Sequence, residues 1–137
     1  MAPVRRVLYV EDEADDVTFM QRAIRSVCPL IQLDVAHDGE EAVQHLSNSS
    51  PPPDWVVLDL KMPRRSGIEV LEWIRSHREL KDLKVTILTS SSEQSDIARV
   101  HNLGIDHYYV KPVSYAELLE IVRALCRSWG VPEGARA

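Results

Sequence analysis

Cysteine is scarce in this chain. Cys28 and Cys126 are the only two. There is no CxxC pair and no disulfide framework, and both residues fall in apolar helical contexts that suit buried free thiols. No apolar stretch approaches the roughly 18 residues that a membrane-spanning helix needs, so none is expected. The opening, Met1-Ala2-Pro3-Val4-Arg5-Arg6, lacks the apolar centre of a signal peptide, which points to a cytoplasmic protein. Basic charge is also short. The net charge is −5, whereas nucleic-acid phosphates call for a basic face. Arg64, Arg65, Arg75 and Arg78 read as solvated charges rather than a nucleic-acid patch. His37, His45, His77, His101 and His107 share no ligand spacing on one helix face and have no partner cysteine. No internal repeat is visible.

What is present is an alternation of strand and helix patterns. The 137 residues, 45% hydrophobic, suit one domain with a real core. That domain is expected over 1–129, followed by a short disordered tail over 130–137. Apolar runs predict strands near 5–10, 31–35, 54–59, 84–88 and 107–110. Apolar residues three and four apart predict helices between them. Val17, Met20, Ile24 and Val27 mark the first, closed by Pro29. Ala42, Val43 and Leu46 mark the second; Ile68, Leu71 and Ile74 mark the third. Ile97, Val100 and Leu103 mark a fourth, stopped by Gly104. The fifth carries Leu118, Leu119, Ile121, Val122, Leu125 and Trp129, with Ser114 as its N-cap and Glu117 three residues on. Trp55 and Trp73 read as packing aromatics. Ser47–Pro53 reads as a rigid, proline-rich connector.

Nearly continuous apolar strands need helices on both faces. The order therefore implies a (βα)5 doubly wound α/β domain with a five-stranded parallel sheet and right-handed crossovers. The inferred strand order is the flavodoxin-like 2-1-3-4-5, whose switch point lies between strands 1 and 3. In such a sheet the carboxyl ends of the strands share one edge, where ligands bind. Here those ends carry Glu11-Asp12-Glu13, the lone Asp59, Thr89 and Lys111.

Each of these residues alone has a plain explanation. Three acids after a strand suit a helix N-terminus, Thr89 heads a run of capping hydroxyls, and Lys111-Pro112 suits a turn. Four such positions on one edge describe a Mg²⁺-dependent aspartyl-phosphate site better. A carboxylate can attack a phosphoryl group to give an acyl phosphate. Both partners are anionic, so a divalent cation between them is required, and Mg²⁺ takes oxygen ligands. Asp12 and Asp59 can supply two, Glu11 a third directly or through water, and the Lys61 backbone carbonyl another. Lys111 offers an ammonium and Thr89 a hydroxyl donor to the phosphoryl oxygens.

At these residues the chain resembles a known family. Val10-Glu11-Asp12-Glu13, Val57-Leu58-Asp59-Leu60-Lys61-Met62-Pro63, Leu88-Thr89-Ser90 and Val110-Lys111-Pro112 resemble the receiver domain of two-component response regulators, the CheY-like fold, over roughly 4–129. The resemblance implies that Asp59 is the phosphoacceptor, Glu11 and Asp12 the metal-binding pair, Thr89 the switch hydroxyl and Lys111 the family's lysine, joined to Pro112 by a cis bond. It implies that Tyr108 is the aromatic that swings inward, on a switching surface of helix 4, strand 5 and helix 5. Glu11 stands where many receivers have Asp, and Ser66-Gly67 replaces the more usual Asp-Gly. Lys61 and Ser91 occupy positions that tune phosphoryl lifetime in the family. The opening Glu11–Val17, the Asp59–Arg64 loop and Ser128-Trp129 further resemble stand-alone receivers paired with phytochrome-like histidine kinases, relatives that form homodimers through the switching surface.

The expected function is therefore a single-domain response regulator. A histidine kinase donates a phosphoryl group to Asp59 with Mg²⁺, and the output passes to a downstream protein or a phosphotransfer partner, with no nucleic acid and no membrane involved. It is expected to be no enzyme beyond handling its own phosphoryl group. The rival readings are a receiver-like module that is never phosphorylated, an aspartyl phosphohydrolase and a flavin or nucleotide binder. The phosphohydrolase would want a carboxylate where Lys61 stands. The nucleotide binder would want a glycine- or hydroxyl-rich loop where Glu11-Asp12-Glu13 stands.

Overall fold

The apolar runs pair side by side in parallel, and the helical patterns cross over on either side of them. The computed structural model describes residues 3–134. In it β1 (Arg6–Val10), α1 (Ala14–Val27), β2 (Gln32–Ala36), α2 (Gly39–Asn48), β3 (Trp55–Leu58), α3 (Gly67–Ser76), β4 (Lys84–Thr89), α4 (Gln94–Leu103), β5 (His107–Val110) and α5 (Tyr115–Trp129) follow in turn. The sheet order is β2-β1-β3-β4-β5, as the strand pattern implies. Register pairs Val10 with Ala36 and Leu58, and Thr89 with Val110, so the carboxyl ends are level along one edge.

Side-chain alternation splits the core in two. Val7, Tyr9, Trp55, Val57 and Leu88 pack with α1 and α5 through Val17, Met20, Ile24, Leu118, Val122, Leu125 and Trp129. Leu8, Val10, Val56, Leu58, Val85 and Ile87 pack on the other face with Ala42, Leu46, Ile68, Leu71, Ile74 and Val100. The three central strands are apolar on both faces because both faces are covered. Thr86, buried among them, accepts from the Trp55 indole at 2.9 Å, which satisfies both polar groups. Cys28 and Cys126 are free and buried, and burial pushes the Cys28 thiol up to about 12. Among the described residues no helix is long and apolar enough to cross a membrane.

Several ends follow from local chemistry. Ser114 caps α5 by accepting from the Glu117 N–H at 3.1 Å. Gly104, at φ 92°, ends α4 in a region that penalises residues with a Cβ. Three expectations need correcting. The cis X–Pro bond among the described residues is Ser50–Pro51, not Lys111–Pro112. Arg75 is not simply solvated: its guanidinium donates to the carbonyls of Lys81, Leu83, Leu103 and Gly104, clamping the loops before β4 and β5. A fork of five donors suits such carbonyl clusters, and no sequence period announces them. Asp59 lies one residue beyond β3 rather than within it. After α5, the Val131 N–H donates to Cys126 O at 3.3 Å and the Gly134 N–H to Val27 O at 2.6 Å. Residues 135–137 of the expected tail lie outside the described residues.

The start of α3 holds the loop after β3 in place. Ser66 and Glu69 form a reciprocal capping box, with the Ser66 N–H donating to Glu69 Oε1 at 3.0 Å and the Glu69 N–H to Ser66 Oγ at 3.3 Å. Next to Ser66, a Cβ on Gly67 would stand 2.1 Å from the Asp59 carbonyl oxygen and 2.7 Å from Leu60 Cα, both backbone atoms. Gly67→Ala is therefore expected to destabilise the fold by about 1–3 kcal/mol through overpacking, although alanine is favoured over glycine in a helix by about 1 kcal/mol. Urea denaturation checks this; a stabilised variant would mean that the backbones can separate at no cost.

Candidate functional site

The parallel ladder continues one residue past three of its strands, and those three residues carry the site. The Glu11 N–H donates to Ala36 O at 3.0 Å, the Asp59 N–H to Val10 O at 3.1 Å and the Lys111 N–H to Thr89 O at 2.8 Å. Their backbones are fixed by the sheet while their side chains reach over its edge. Glu11 is fully buried, Asp59 is 2% exposed and Asp12 is exposed. One carboxylate oxygen from each of Glu11, Asp12 and Asp59 lies within 4.8 Å of the others. The four edge positions singled out from the sequence thus come together around β1, β3, β4 and β5.

Lys111 ties the acids to one another. Its Nζ lies 2.9 Å from Glu11 Oε1, 3.2 Å from Asp59 Oδ2 and 2.8 Å from Asp16 Oδ2. Burial alone would lower the lysine's pKa, but bonds to Asp16 and Glu11 and the charge of Asp59 raise it above its ordinary value. The ammonium therefore stays charged. Glu11 is pushed up from 4.5 to about 7, chiefly by burial, with the Lys111 hydrogen bond opposing and the Asp59 charge adding to the rise. Burial also raises the Tyr9 phenol, which donates to Glu11 Oε1 at 3.3 Å. The Glu13 N–H holds the other Glu11 oxygen at 3.1 Å.

The side of the site toward α4 is a second polar chain. The buried Thr89 hydroxyl accepts from the Ser91 N–H at 3.4 Å. The Ser91 hydroxyl donates to Asp96 Oδ2 at 2.7 Å, and the Ser91 carbonyl accepts from the Tyr108 hydroxyl at 2.7 Å. The Lys61 N–H donates to Asp59 Oδ1 at 3.2 Å. Its ammonium turns away to Glu93 at 3.2 Å and Asp96 at 3.1 Å. Asp96 is held below the usual carboxylate range by Ser91 and Lys61.

Asp16 and Asp96 are among the partners that were not singled out from the sequence. Asp16 meets Lys111 across 95 positions of sequence, so no local pattern distinguishes it from Asp15; only its place just before the buried Val17 in α1 hints that it faces the sheet edge. Asp96 lies in the first turn of α4, where an acid is expected for the macrodipole alone.

Donor chemistry decides which cation the edge fits. Three carboxylates, Glu11, Asp16 and Asp59, meet one ammonium, and Asp12 clusters with two of them, so negative groups are in excess. The Glu11–Asp12–Asp59 cluster offers oxygen atoms only. Oxygen-only carboxylate sites suit hard divalent ions such as Mg²⁺ or Mn²⁺.

Comparison with known proteins agrees with this geometry. A family model described as the response regulator receiver domain matches residues 7–123. Response regulator Rcp1 of Synechocystis sp. is 28% identical over 132 residues, covering 93% of this chain and 90% of that protein. Response regulator MprA of Mycobacterium sp. is 35% identical over 129 residues, 94% of this chain, but the chain spans only 54% of MprA's length. The solved structure of the phosphorylated cyanobacterial phytochrome response regulator RcpA superposes with a TM-score of 0.85 at 28% identity, covering 96% of this chain and 99% of that one. The Mn²⁺-bound form of Rcp1 superposes with a TM-score of 0.84 at 28% identity, with the same coverage.

The raised Glu11 carboxyl has a consequence for stability without metal. Between its ordinary 4.5 and about 7, the folded chain keeps a proton that the unfolded chain has released. Raising the pH through that window therefore removes stability, on the order of 1–2 kcal/mol, and the loss is complete above it. Denaturation in a chelator at about pH 5 and about pH 7.5 measures the difference, and Glu11→Gln should flatten it. An equal slope in Glu11→Gln would assign the effect to another group.

Proposed function

Because the chain belongs to the response regulator receiver family, we propose that Asp59 accepts a phosphoryl group from a phosphohistidine of a sensor histidine kinase and thereby switches a protein-binding surface. The single observation that carries this reading is the convergence of Asp59, Glu11, Asp12 and Lys111 at the carboxyl edge of the sheet.

Glu11, Asp12 and Asp59, with the Lys61 backbone carbonyl, would hold Mg²⁺. Bound there, Mg²⁺ offsets the repulsion between the anionic carboxylate and the anionic phosphoryl donor. An Asp59 oxygen forms the new bond to phosphorus as the phosphorus–nitrogen bond of the donor breaks, and the departing histidine nitrogen keeps the electron pair. Lys111 and Thr89 donate to the phosphoryl oxygens, so rate enhancement comes from placement and fixed charge. Loss of the group is hydrolysis: water replaces the Asp59 oxygen on phosphorus, leaving inorganic phosphate and a free carboxylate. The chain thus acts as a signalling phosphoacceptor that handles its own phosphoryl group, in the cytoplasm with its kinase.

The readout follows from the polar chain toward α4. A Thr89 hydroxyl drawn to the phosphoryl group pulls on the loop that holds Ser91. That loop's carbonyl is the acceptor for Tyr108, so Tyr108 shifts with it. α4 buries only Val100, fewer apolar residues than any other described helix. Weak apolar anchoring suits an element that changes position. The two-state surface of α4, β5 and α5 is then biased by phosphorylation. Val110, 49% exposed on β5, lies on that surface, where a second copy of the chain or a downstream protein or phosphotransfer partner docks. The likeness to RcpA supports a phytochrome-like kinase as the donor. Lys61 argues against a phosphohydrolase, since it puts a cation, engaged with Glu93 and Asp96, where the general acid would stand.

Incubation with acetyl phosphate tests the reading. Wild type should take up a base-labile, acid-stable label that requires Mg²⁺, and Asp59→Asn should take up none while keeping its fold. A label that persists in Asp59→Asn would sink the assignment.

A further inference from the structure

An ammonium has three N–H donors, and each of the three on Lys111 has a carboxylate within reach. Glu11 and Asp59 also belong to the acidic cluster. Asp16 does not. It lies on the first turn of α1, 2.8 Å from Lys111 Nζ, and its side chain is 38% exposed. An acid at a helix N-terminus needs no partner to be favoured there, yet Asp16 is aimed across from α1 to the residue that follows β5. α1 is itself held by Val17, Met20, Ala23 and Ile24 in the core, so Asp16 is presented from a rigid element.

From this geometry we infer that Asp16 is a positioning residue, the fixed anchor that keeps the Lys111 ammonium over Asp59 while the phosphoryl group arrives. The inference rests on the reading of Asp59 as phosphoacceptor. Under that reading Glu11 and Asp59 turn oxygen lone pairs to a cation, and Asp59 gives up one oxygen to phosphorus. The hold of two of the three resting partners on Lys111 would then weaken together. The ammonium sits on a flexible four-carbon stem, and without another anchor it would swing toward solvent. Asp16 takes no part in the cluster and loses nothing in the reaction. It also need not release Lys111: one N–H stays on Asp16 and two remain for phosphoryl oxygens.

Kinetics of labelling by acetyl phosphate at saturating Mg²⁺, on wild type, Asp16→Ala, Asp16→Asn and Asp59→Asn, test this. Asp16→Ala should lower the maximal rate about tenfold, as misplacement of a reacting-site group does, while the half-saturating donor concentration moves by less than about twofold. Asp16→Asn keeps an oxygen acceptor in the same place and should recover to within about threefold of wild type. An unchanged or faster Asp16→Ala would overturn the inference. So would equal losses in Asp16→Ala and Asp16→Asn, because the role would then be charge and not placement. Label surviving in Asp59→Asn would overturn the acceptor reading beneath it; label lost there with Asp16→Ala unaffected would overturn only the role of Asp16.

Discussion

Carboxylates brought together out of water repel one another and resist ionisation, and only an opposite charge held among them offsets this. At the carboxyl edge of this sheet that charge is Lys111. It reaches Glu11 just after β1, Asp16 at the start of α1 and Asp59 just after β3, so one ammonium ties the end of β5 to the β1–α1 connection and to the end of β3. The balance remains negative. Glu11, pushed up chiefly by burial, titrates at about 7, and a divalent cation is the natural complement of the negative charge that remains.

The sheet makes such a concentration of charge affordable in geometric terms. Glu11, Asp59 and Lys111 each donate a backbone N–H to the next strand, so their positions are set by the ladder rather than by their own interactions. The approach of Gly67 to the Asp59 carbonyl, and the capping box at Ser66 and Glu69, fix the loop beyond Asp59 from the other direction. The side chains contribute chemistry to a frame that packing on both faces has already determined. On the α4 side the frame is looser. A chain of hydroxyls and charges from Thr89 through Ser91 and Asp96 to Lys61, with Tyr108 attached at Ser91, stands where apolar packing is thin. A polar chain beside a weakly buried helix can be rearranged by one new charge.

Much of this was legible in the chain itself. Strand order, helix positions, the Ser114 cap and the Gly104 stop follow from local periods and end signals, because such signals act between residues a few positions apart. The edge residues were legible for a similar reason: in a parallel sheet, the residue after an apolar run must lie at the binding edge. The capping box at Ser66 and Glu69 is equally local, a serine followed three positions later by a glutamate. Arg75 shows the limit. Its four carbonyl partners lie in the loop before β4 and at the end of α4 with the glycine that follows it, and carbonyl groups carry no sequence identity by which an arginine could be matched to them.

By itself, then, the sequence determined the doubly wound sheet and which residue types stand at its carboxyl edge, since hydrophobic period and turn chemistry are properties of short stretches. Only the tertiary structure decided the pairings. That Asp16 and not Asp15 meets Lys111, that the Lys61 ammonium pairs with Glu93 and Asp96, and that Tyr108 bonds to Ser91 all depend on how helices sit over the sheet. Ion pairs and hydrogen bonds between distant segments are selected by distance in space, and that distance exists only once the two apolar layers have packed.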